Sequence, residues 1–180
     1  MYKLCVTEKS AKNQAALEQA FLRLALQYNY DDITISDICQ EAGLSRKVYY
    51  RLFENKNDVL YALIDHTLGG IEAYEPEMEP LHRFFSYWKE QSRLLDALYR
   101  SQCNALLLDR VVRFVLNYNP SSLTDVYPGL LDWDRDTQIF FICGLFGMVL
   151  DWHVRGYDSS VEEISQSLLE LLSSPLHPYG

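Results

Sequence analysis

The chain has 180 residues, 48% of them hydrophobic, so it can form one or two hydrophobic cores and is not a disordered protein. Its formal net charge of −9 argues against broad, non-specific binding of nucleic acid. The N-terminal residues lack the pattern of a secretory signal, and Cys5, Cys39, Cys103 and Cys143 lie far apart. We therefore expect core thiols in a reducing compartment, the cytoplasm.

The charge is unevenly distributed along the chain. Residues 1–66 carry eight Lys or Arg and nine Asp or Glu, a net charge of −1, whereas residues 67–180 carry eight and sixteen, a net charge of −8. Half of the cations in the first part fall within eleven residues: Arg46, Lys47, Arg51 and Lys56. Phosphate binding depends on the local potential, so an acidic total charge does not exclude DNA as a partner.

The first predicted helix runs from about Glu8 to Tyr28, where apolar residues recur at helical spacing. A helix-turn-helix pattern follows over residues 33–56. Thr34 is placed to cap its first helix, with Asp37 in the capping-box position, and Gly43 stands where the chain must turn. Ser45 is the predicted cap of the second helix. The next helix, capped by Asn55, should extend to about Leu68.

The second helix of this pair has an outward face that is cationic and aromatic. If Val48, Tyr49 and Leu52 point inward, the residues left outside are Arg46, Lys47, Tyr50 and Arg51. Such a face suits a helix in the major groove of double-stranded DNA. The remaining candidate DNA contacts are Thr34, Ser36, Ser45 and Lys56. The alternative is a helical hairpin whose basic face is merely solvated.

This stretch resembles the DNA-binding domain of the TetR/AcrR family of transcriptional regulators over about residues 15–63. The resemblance is carried by Ile35-Ser36-Asp37-Ile38-Cys39, Ala42-Gly43-Leu44-Ser45, Tyr50, Phe53 and Lys56. Lys47 stands where the family often has a small residue, and Cys39 where it usually has Ala. The resemblance implies a sequence-specific regulator, usually a repressor, whose small effector binds between helices of the second domain and releases the DNA.

The rest of the chain predicts a second helical domain. We expect an all-α fold in which residues 1–68 form a three-helix DNA-binding domain and residues 69–180 a bundle for effector binding and dimerisation. The segment from Glu72 to Pro80 is acidic and contains prolines, which is typical of a linker. A helical run should then start at Leu81, with a break near residues 101–104.

The helix predicted from Asp134 to Arg155 is apolar on every side in its middle. The apolar run from Ile139 to Leu150 is twelve residues, which is too short to span a bilayer and indicates a buried helix. A second subunit could bury the apolar sides of this helix that one small domain leaves exposed, so we expect a two-fold homodimer and a palindromic operator. The predicted interface residues are Phe140, Gly144, Gly147, Val161, Leu168 and Leu172. The alternative is a central core helix with tolerated glycines.

Aromatic residues of the second part are candidates for the effector pocket implied by the resemblance. The predicted lining is Phe84, Trp88, Tyr99, Phe114, Phe141, Leu145 and Trp152, although each could equally be an ordinary core residue. The histidines show no spacing typical of a metal site or a catalytic triad, so we expect no catalytic residues, metal or cofactor. Two alternatives remain: a helix-turn-helix regulator whose second domain binds a protein, and a helical enzyme with an incidental hairpin.

Overall fold

The computed structural model describes residues 7–118, 126 and 132–173, and these residues are largely helical. The α-helices are α1 (Glu8–Ala25), α2 (Ile35–Ala42), α3 (Arg46–Leu52), α4 (Lys56–Gly70), α5 (Pro80–Glu90), α6 (Ser92–Arg100), α7 (Asn104–Tyr118), α8 (Arg135–Val154) and α9 (Val161–Ser173). No β-strand occurs within these ranges. The predicted all-α fold class is confirmed.

Several helix ends differ from the sequence-based predictions. The first helix ends at Ala25, three residues before Tyr28, and α4 continues through the glycine pair to Gly70. A helix tolerates glycine near its end because only about 1 kcal/mol is lost relative to alanine. The segment predicted as a linker, Glu72 to Pro80, overlaps a short 3-10 helix, Ile71–Ala73, and ends where Pro80 starts α5. The helix expected from Leu81 is split at Gln91 into α5 and α6.

The first compact unit contains the residues up to Gly70 together with residues 93–117. The sequence analysis placed α6 and α7 in the second domain, residues 69–180, whereas in the structure they lie in the same unit as α1–α4. The reason is packing: Leu94 and Leu98 of α6 surround a small cavity together with Phe21 of α1 and Leu60 of α4. The largest buried side chains of this unit are Leu17, Phe21, Ile38, Tyr49, Phe53, Ile64, Leu95 and Leu98.

The second compact unit contains Ile71–Ser92 and the chain from Tyr118 onward, and its described helices are α5, α8 and α9. Its core is aromatic. The Phe146 ring of α8 meets the rings of Trp88 and Phe84 of α5 nearly at right angles, with centroids 5.0 and 5.4 Å apart. Phe85 meets Trp152 in the same way at 5.8 Å. Such edge-to-face pairs add about 0.5–1.5 kcal/mol each beyond the area they bury.

Polar groups fix the ends of the helices in this unit. Asp134 caps α8, accepting hydrogen bonds from the backbone N–H of Asp136 and Thr137, both at 3.0 Å. Ser160 and Glu163 form a capping box at the start of α9. His82 of α5 and Glu162 of α9 are joined by a contact of 3.0 Å between His82 Nε2 and Glu162 Oε1. This contact holds the pKa of the Glu162 carboxyl down at about 2.

Helix α8 is buried on one side only within the chain. Ile142, Leu145 and Val149 are buried, whereas Phe140 is 81% exposed and Gly144 is exposed. Within the described residues, α8 is also the one helix long and apolar enough to cross a bilayer by length and composition. The apolar run used in the sequence analysis did not predict this, because the helix extends beyond that run at both ends.

Candidate nucleic-acid interface

The turn between α2 and α3 has the geometry expected from the sequence. Gly43 adopts a left-handed conformation, with φ of +66°, that glycine accepts at little cost. The N–H of Leu44 donates to the carbonyl of Cys39 at 2.9 Å, and the N–H of Gly43 donates to the carbonyl of Gln40 at 3.1 Å. These two bonds are the Schellman pattern, which ends α2 sharply. The predicted turn at Gly43 is confirmed.

Three predicted caps hold the helix termini around this turn. The Thr34 hydroxyl oxygen accepts from the N–H of Asp37 at 3.2 Å, and the Asp37 carboxylate accepts from the N–H of Thr34 at 2.9 Å. The Thr34 hydroxyl also donates to the Asp37 carboxylate at 2.6 Å, and this bond, together with the one from the Thr34 N–H, lowers the pKa of Asp37. Ser45 accepts from the N–H of Val48 at 3.3 Å, and Asn55 from the N–H of Asp58 at 3.2 Å. The caps fix where α2, α3 and α4 begin.

The inner face of α3 packs on the core of the unit. Tyr49 is fully buried, and its hydroxyl donates to the carbonyl of Asn55 at 3.0 Å. Burial raises the pKa of Tyr49, so this hydroxyl stays protonated. The Tyr49 ring packs on Phe53 with centroids 5.5 Å apart, and Cys39 of α2 is 4% exposed. These contacts fix the rotation of α3 about its axis.

The outer face of α3 carries the predicted cationic and aromatic side chains. Arg46, Lys47, Tyr50 and Arg51 are all exposed. The guanidinium of Arg46 lies over the Tyr50 ring at 5.9 Å from its centroid, and Arg46 Nη2 donates to the Tyr50 hydroxyl at 3.4 Å. The two side chains are thus oriented together on one side of the helix. Exposed guanidinium and ammonium groups on a short helix are the groups that contact phosphates and guanine edges in the major groove.

The other candidate DNA contacts lie around this helix and differ in whether their polar groups are already hydrogen-bonded within the protein. Thr34 and Ser45 are exposed, but their hydroxyl groups serve the caps of α2 and α3. Ser36 is exposed in the first turn of α2. Lys56, at the start of α4, is half-buried, and its ammonium donates to the carbonyls of Tyr30 and Ile33. Lys56 therefore differs from the solvated cations of α3.

Helix α4 is held from both sides by charged pairs within the first unit. Glu18 of α1 is 4% exposed, and its carboxylate lies 2.8 Å from His66 Nδ1 and accepts from Gln14 Nε2 at 2.9 Å. The hydrogen bond with Glu18 raises the pKa of His66. On the other side, Asp65 binds Arg110 of α7 through two hydrogen bonds. Sequence reasoning missed these pairs because the partners are 48 and 45 residues apart.

The predicted pocket residues are divided between the two units. Tyr99 and Phe114 belong to the first unit, and Tyr99 is 54% exposed. The second unit contains Phe84, Trp88, Phe141, Leu145 and Trp152. Four of these five are buried, whereas Phe141 is half-buried and meets Trp133 edge-to-face at 5.6 Å. The indole N–H of Trp88 is buried and has no hydrogen-bond partner among the described residues.

The predicted interface residues differ widely in exposure. Phe140 and Gly144 are exposed, and Gly147, Val161 and Leu172 are half-buried. Leu168 is 5% exposed, so within this chain it is a core residue of the second unit. A Cβ atom built on either Gly144 or Gly147 meets no other atom within 4 Å. The side of α8 that carries these glycines is therefore open towards the described residues, and no contact among those residues explains why they are glycines.

Two capped helices at a left-handed glycine turn, with a cationic outer face on the second helix, define a helix-turn-helix DNA-binding protein. Residues 19–63, which span this motif, match the model of the bacterial regulatory proteins of the tetR family. The first unit therefore contains a DNA-binding domain of the type found in the tetR family. The resemblance stated from the sequence is confirmed.

Similarity to known proteins extends beyond that domain. The chain is 27% identical to the probable acrEF/envCD operon repressor of Escherichia coli (strain K12), in an alignment covering 88% of this chain and 84% of the relative. The protein of the same name from Escherichia coli O157:H7 matches equally. The crystal structure of Lin0861 from Listeria innocua superposes with a TM-score of 0.72 over 94% of each chain, at 15% identity. That likeness concerns the fold alone.

Proposed function

We propose that the chain is a dimeric repressor that binds a palindromic operator through α3 and releases it when a small molecule binds the second unit. The observation that carries the DNA-binding part is the outer face of α3, where Arg46, Lys47, Tyr50 and Arg51 are exposed around a buried Tyr49. The similarity to the probable acrEF/envCD operon repressor of Escherichia coli supports repression over activation.

The contacts with DNA follow from the position of each side chain on the motif. Arg46 and Lys47 occupy the first turn of α3, which is the part of a recognition helix that reaches base edges. Tyr50 and Arg51 lie one turn further on and reach the flanking phosphates. Ser36, Thr34 and Ser45 are small enough to let the sugar-phosphate backbone approach the ends of α2 and α3.

The dimer is supported by the open side of α8. Phe140 is 81% exposed, and Gly144, one turn further along α8, is exposed as well. Leu169 and Leu171 of α9 are also exposed, at 46% and 59%. Large exposed apolar side chains on two helices of one unit mark an interaction surface. A second copy of the chain is the proposed occupant, because a palindromic operator requires two recognition helices related by a two-fold axis.

Effector control is supported by the aromatic core of the second unit. The buried indole N–H of Trp88 can donate to an acceptor atom of a ligand, and pairing a buried donor recovers about 1–3 kcal/mol. The surplus of acidic residues over 67–180 favours a neutral or cationic molecule. The alternative is that the second unit binds a protein. A small molecule that raises the melting temperature of the purified chain supports the first, and co-purification of a stoichiometric protein partner supports the second.

Footprinting on the DNA upstream of the chain's own gene tests this proposal. A two-fold dimer protects a palindromic site whose half-sites are separated by one helical turn of about 34 Å or a multiple of it. Protection of a single, non-repeated half-site would contradict the dimer. Absence of any protected site there and across the neighbouring promoters would contradict control by a local operator.

A further inference from the structure

Lys56 has its ammonium group committed to the protein backbone. Its Nζ atom donates to the carbonyl of Ile33 at 2.9 Å and to the carbonyl of Tyr30. The same atom lies 4.1 Å from the centroid of the Tyr30 ring. An ammonium group has three hydrogens, so two are used by carbonyls while the charge rests on an aromatic face.

The two carbonyls belong to the segment that leads into α2. Tyr30 opens the 3-10 helix Tyr30–Asp32, and the buried Ile33 immediately precedes Thr34, the cap of α2. The start of α4 is therefore tied to the start of α2 through one side chain. Because α2 and α3 pack on each other, the path of residues 30–34 helps to set the position of the recognition helix.

Tyr30, the main partner of Lys56, is itself fixed by further contacts. Its hydroxyl donates to the side-chain carbonyl of Asn57, the residue after Lys56. Its ring meets Phe21 of α1 edge-to-face with centroids 6.0 Å apart. Burial raises the pKa of Tyr30 to about 12, so the phenol remains a neutral donor. The ring under the ammonium is thus held by α1 and α4 together.

We propose that Lys56 is a positioning residue for α2 and the recognition helix, and that it does not neutralise a DNA phosphate. This inference rests on the proposed DNA-binding face of α3. To reach a phosphate, the ammonium would have to leave two carbonyls and an aromatic ring at once. The sequence alone makes Lys56 a candidate DNA contact, and the three-dimensional positions of Tyr30 and Ile33 support another role.

Salt dependence distinguishes the two roles. Each phosphate contact contributes about 0.9 to the slope of log affinity against log salt concentration. The parent, Lys56→Met and Arg51→Met are titrated with the duplex found by footprinting and with a scrambled duplex of equal length. We expect Lys56→Met to bind the operator more weakly with an unchanged salt slope. In Arg51→Met the magnitude of the salt slope should fall by about 0.9. A slope reduced by about 0.9 in Lys56→Met overturns the inference.

Hydrogen exchange supplies a readout that loss of a phosphate contact would not change. Without DNA, amides of residues 30–38 should exchange about ten- to a hundredfold faster in Lys56→Met than in the parent. They should be unaffected in Arg51→Met, and Lys56→Arg, which keeps a cationic donor, should restore much of the protection. Parent-like exchange in Lys56→Met overturns the inference. If Arg51→Met keeps the parent slope, the proposed face of α3 is wrong, and the exchange comparison still decides the role of Lys56.

Acetylation of the unmodified protein covers the case in which Lys56→Met does not fold. Lys47 is exposed and should react with acetic anhydride when free and become protected on the duplex. Lys56 should react slowly in both states because its amine is held by carbonyls. A Lys56 that reacts as fast as Lys47 without DNA and is protected by DNA overturns the inference.

Discussion

The turn at Gly43 gives the most direct prediction about the fold of the DNA-binding motif. Gly43 has φ of +66° and ψ of 28°, and a Cβ atom built there meets no neighbour within 4 Å. Gly43→Ala therefore tests backbone conformation without a steric clash. The left-handed region costs an alanine roughly 1–2 kcal/mol. The lower entropy of the unfolded alanine chain offsets about 0.4–1 kcal/mol of this.

The net expectation for Gly43→Ala is a loss of about 1 kcal/mol in the free energy of unfolding, which for a chain of this size lowers Tm by about 2–4 °C. Gly69→Ala is the matched control, because Gly69 also has no neighbour within 4 Å but lies within α4 without a positive φ. It should be neutral or stabilising by up to about 1 kcal/mol. Urea and thermal denaturation followed by circular dichroism measure both. Equal stability of the two variants would refute the assignment of the turn.

Three further predictions concern the second unit. Gly147→Arg should remain folded, because a Cβ atom at this position meets no neighbour, but it should be monomeric because the charge would be buried in the dimer interface. Light scattering measures this, with Gly69→Arg as the control. A dimeric Gly147→Arg would contradict the proposed interface. Glu162→Gln should be less stable than the parent at pH 7. The difference should shrink as the pH falls from 4.5 towards 2, because the contact with His82 that lowers the pKa of Glu162 stabilises only the ionised carboxylate. Thermal unfolding at each pH measures this, with Glu77→Gln as control, and a difference independent of pH would contradict it. Finally, operator DNA should weaken the binding of any effector about five- to 150-fold, the same factor by which that effector weakens the binding of operator DNA. Calorimetric titration of the effector measures this, and equal effector affinities with and without DNA would exclude the coupling.

The local features of the DNA-binding motif could be predicted from the sequence. Thr34, Gly43 and Ser45 act on residues within five positions of themselves, so their side chains and spacing suffice to locate the helix ends. The outward set on α3 also follows from helical periodicity once Tyr49 is known to be inside. These interactions depend on short stretches of chain, which is why residue pattern alone identifies them.

The features that depend on distant residues could not be predicted. The bond between Asp65 and Arg110 joins positions 45 residues apart, and no local pattern indicates that α7 belongs with α4. The sequence alone makes Lys56 a candidate DNA contact, because its partners, Tyr30 and Ile33, precede it by 26 and 23 residues and no local pattern reveals them. The split at Gln91 contains neither glycine nor proline, so propensity gave no signal for it.

The central claim is that the outer face of α3 reads DNA. Arg46→Ala and Lys47→Ala are compared with the parent and with Arg93→Ala, which removes one exposed cation from α6 of the same unit. Fluorescence anisotropy with the operator duplex and single-base variants should show each α3 variant losing about 1–3 kcal/mol and becoming less selective at particular base pairs. Arg93→Ala should bind as the parent does. Parent-like affinity and selectivity in both α3 variants would contradict the account.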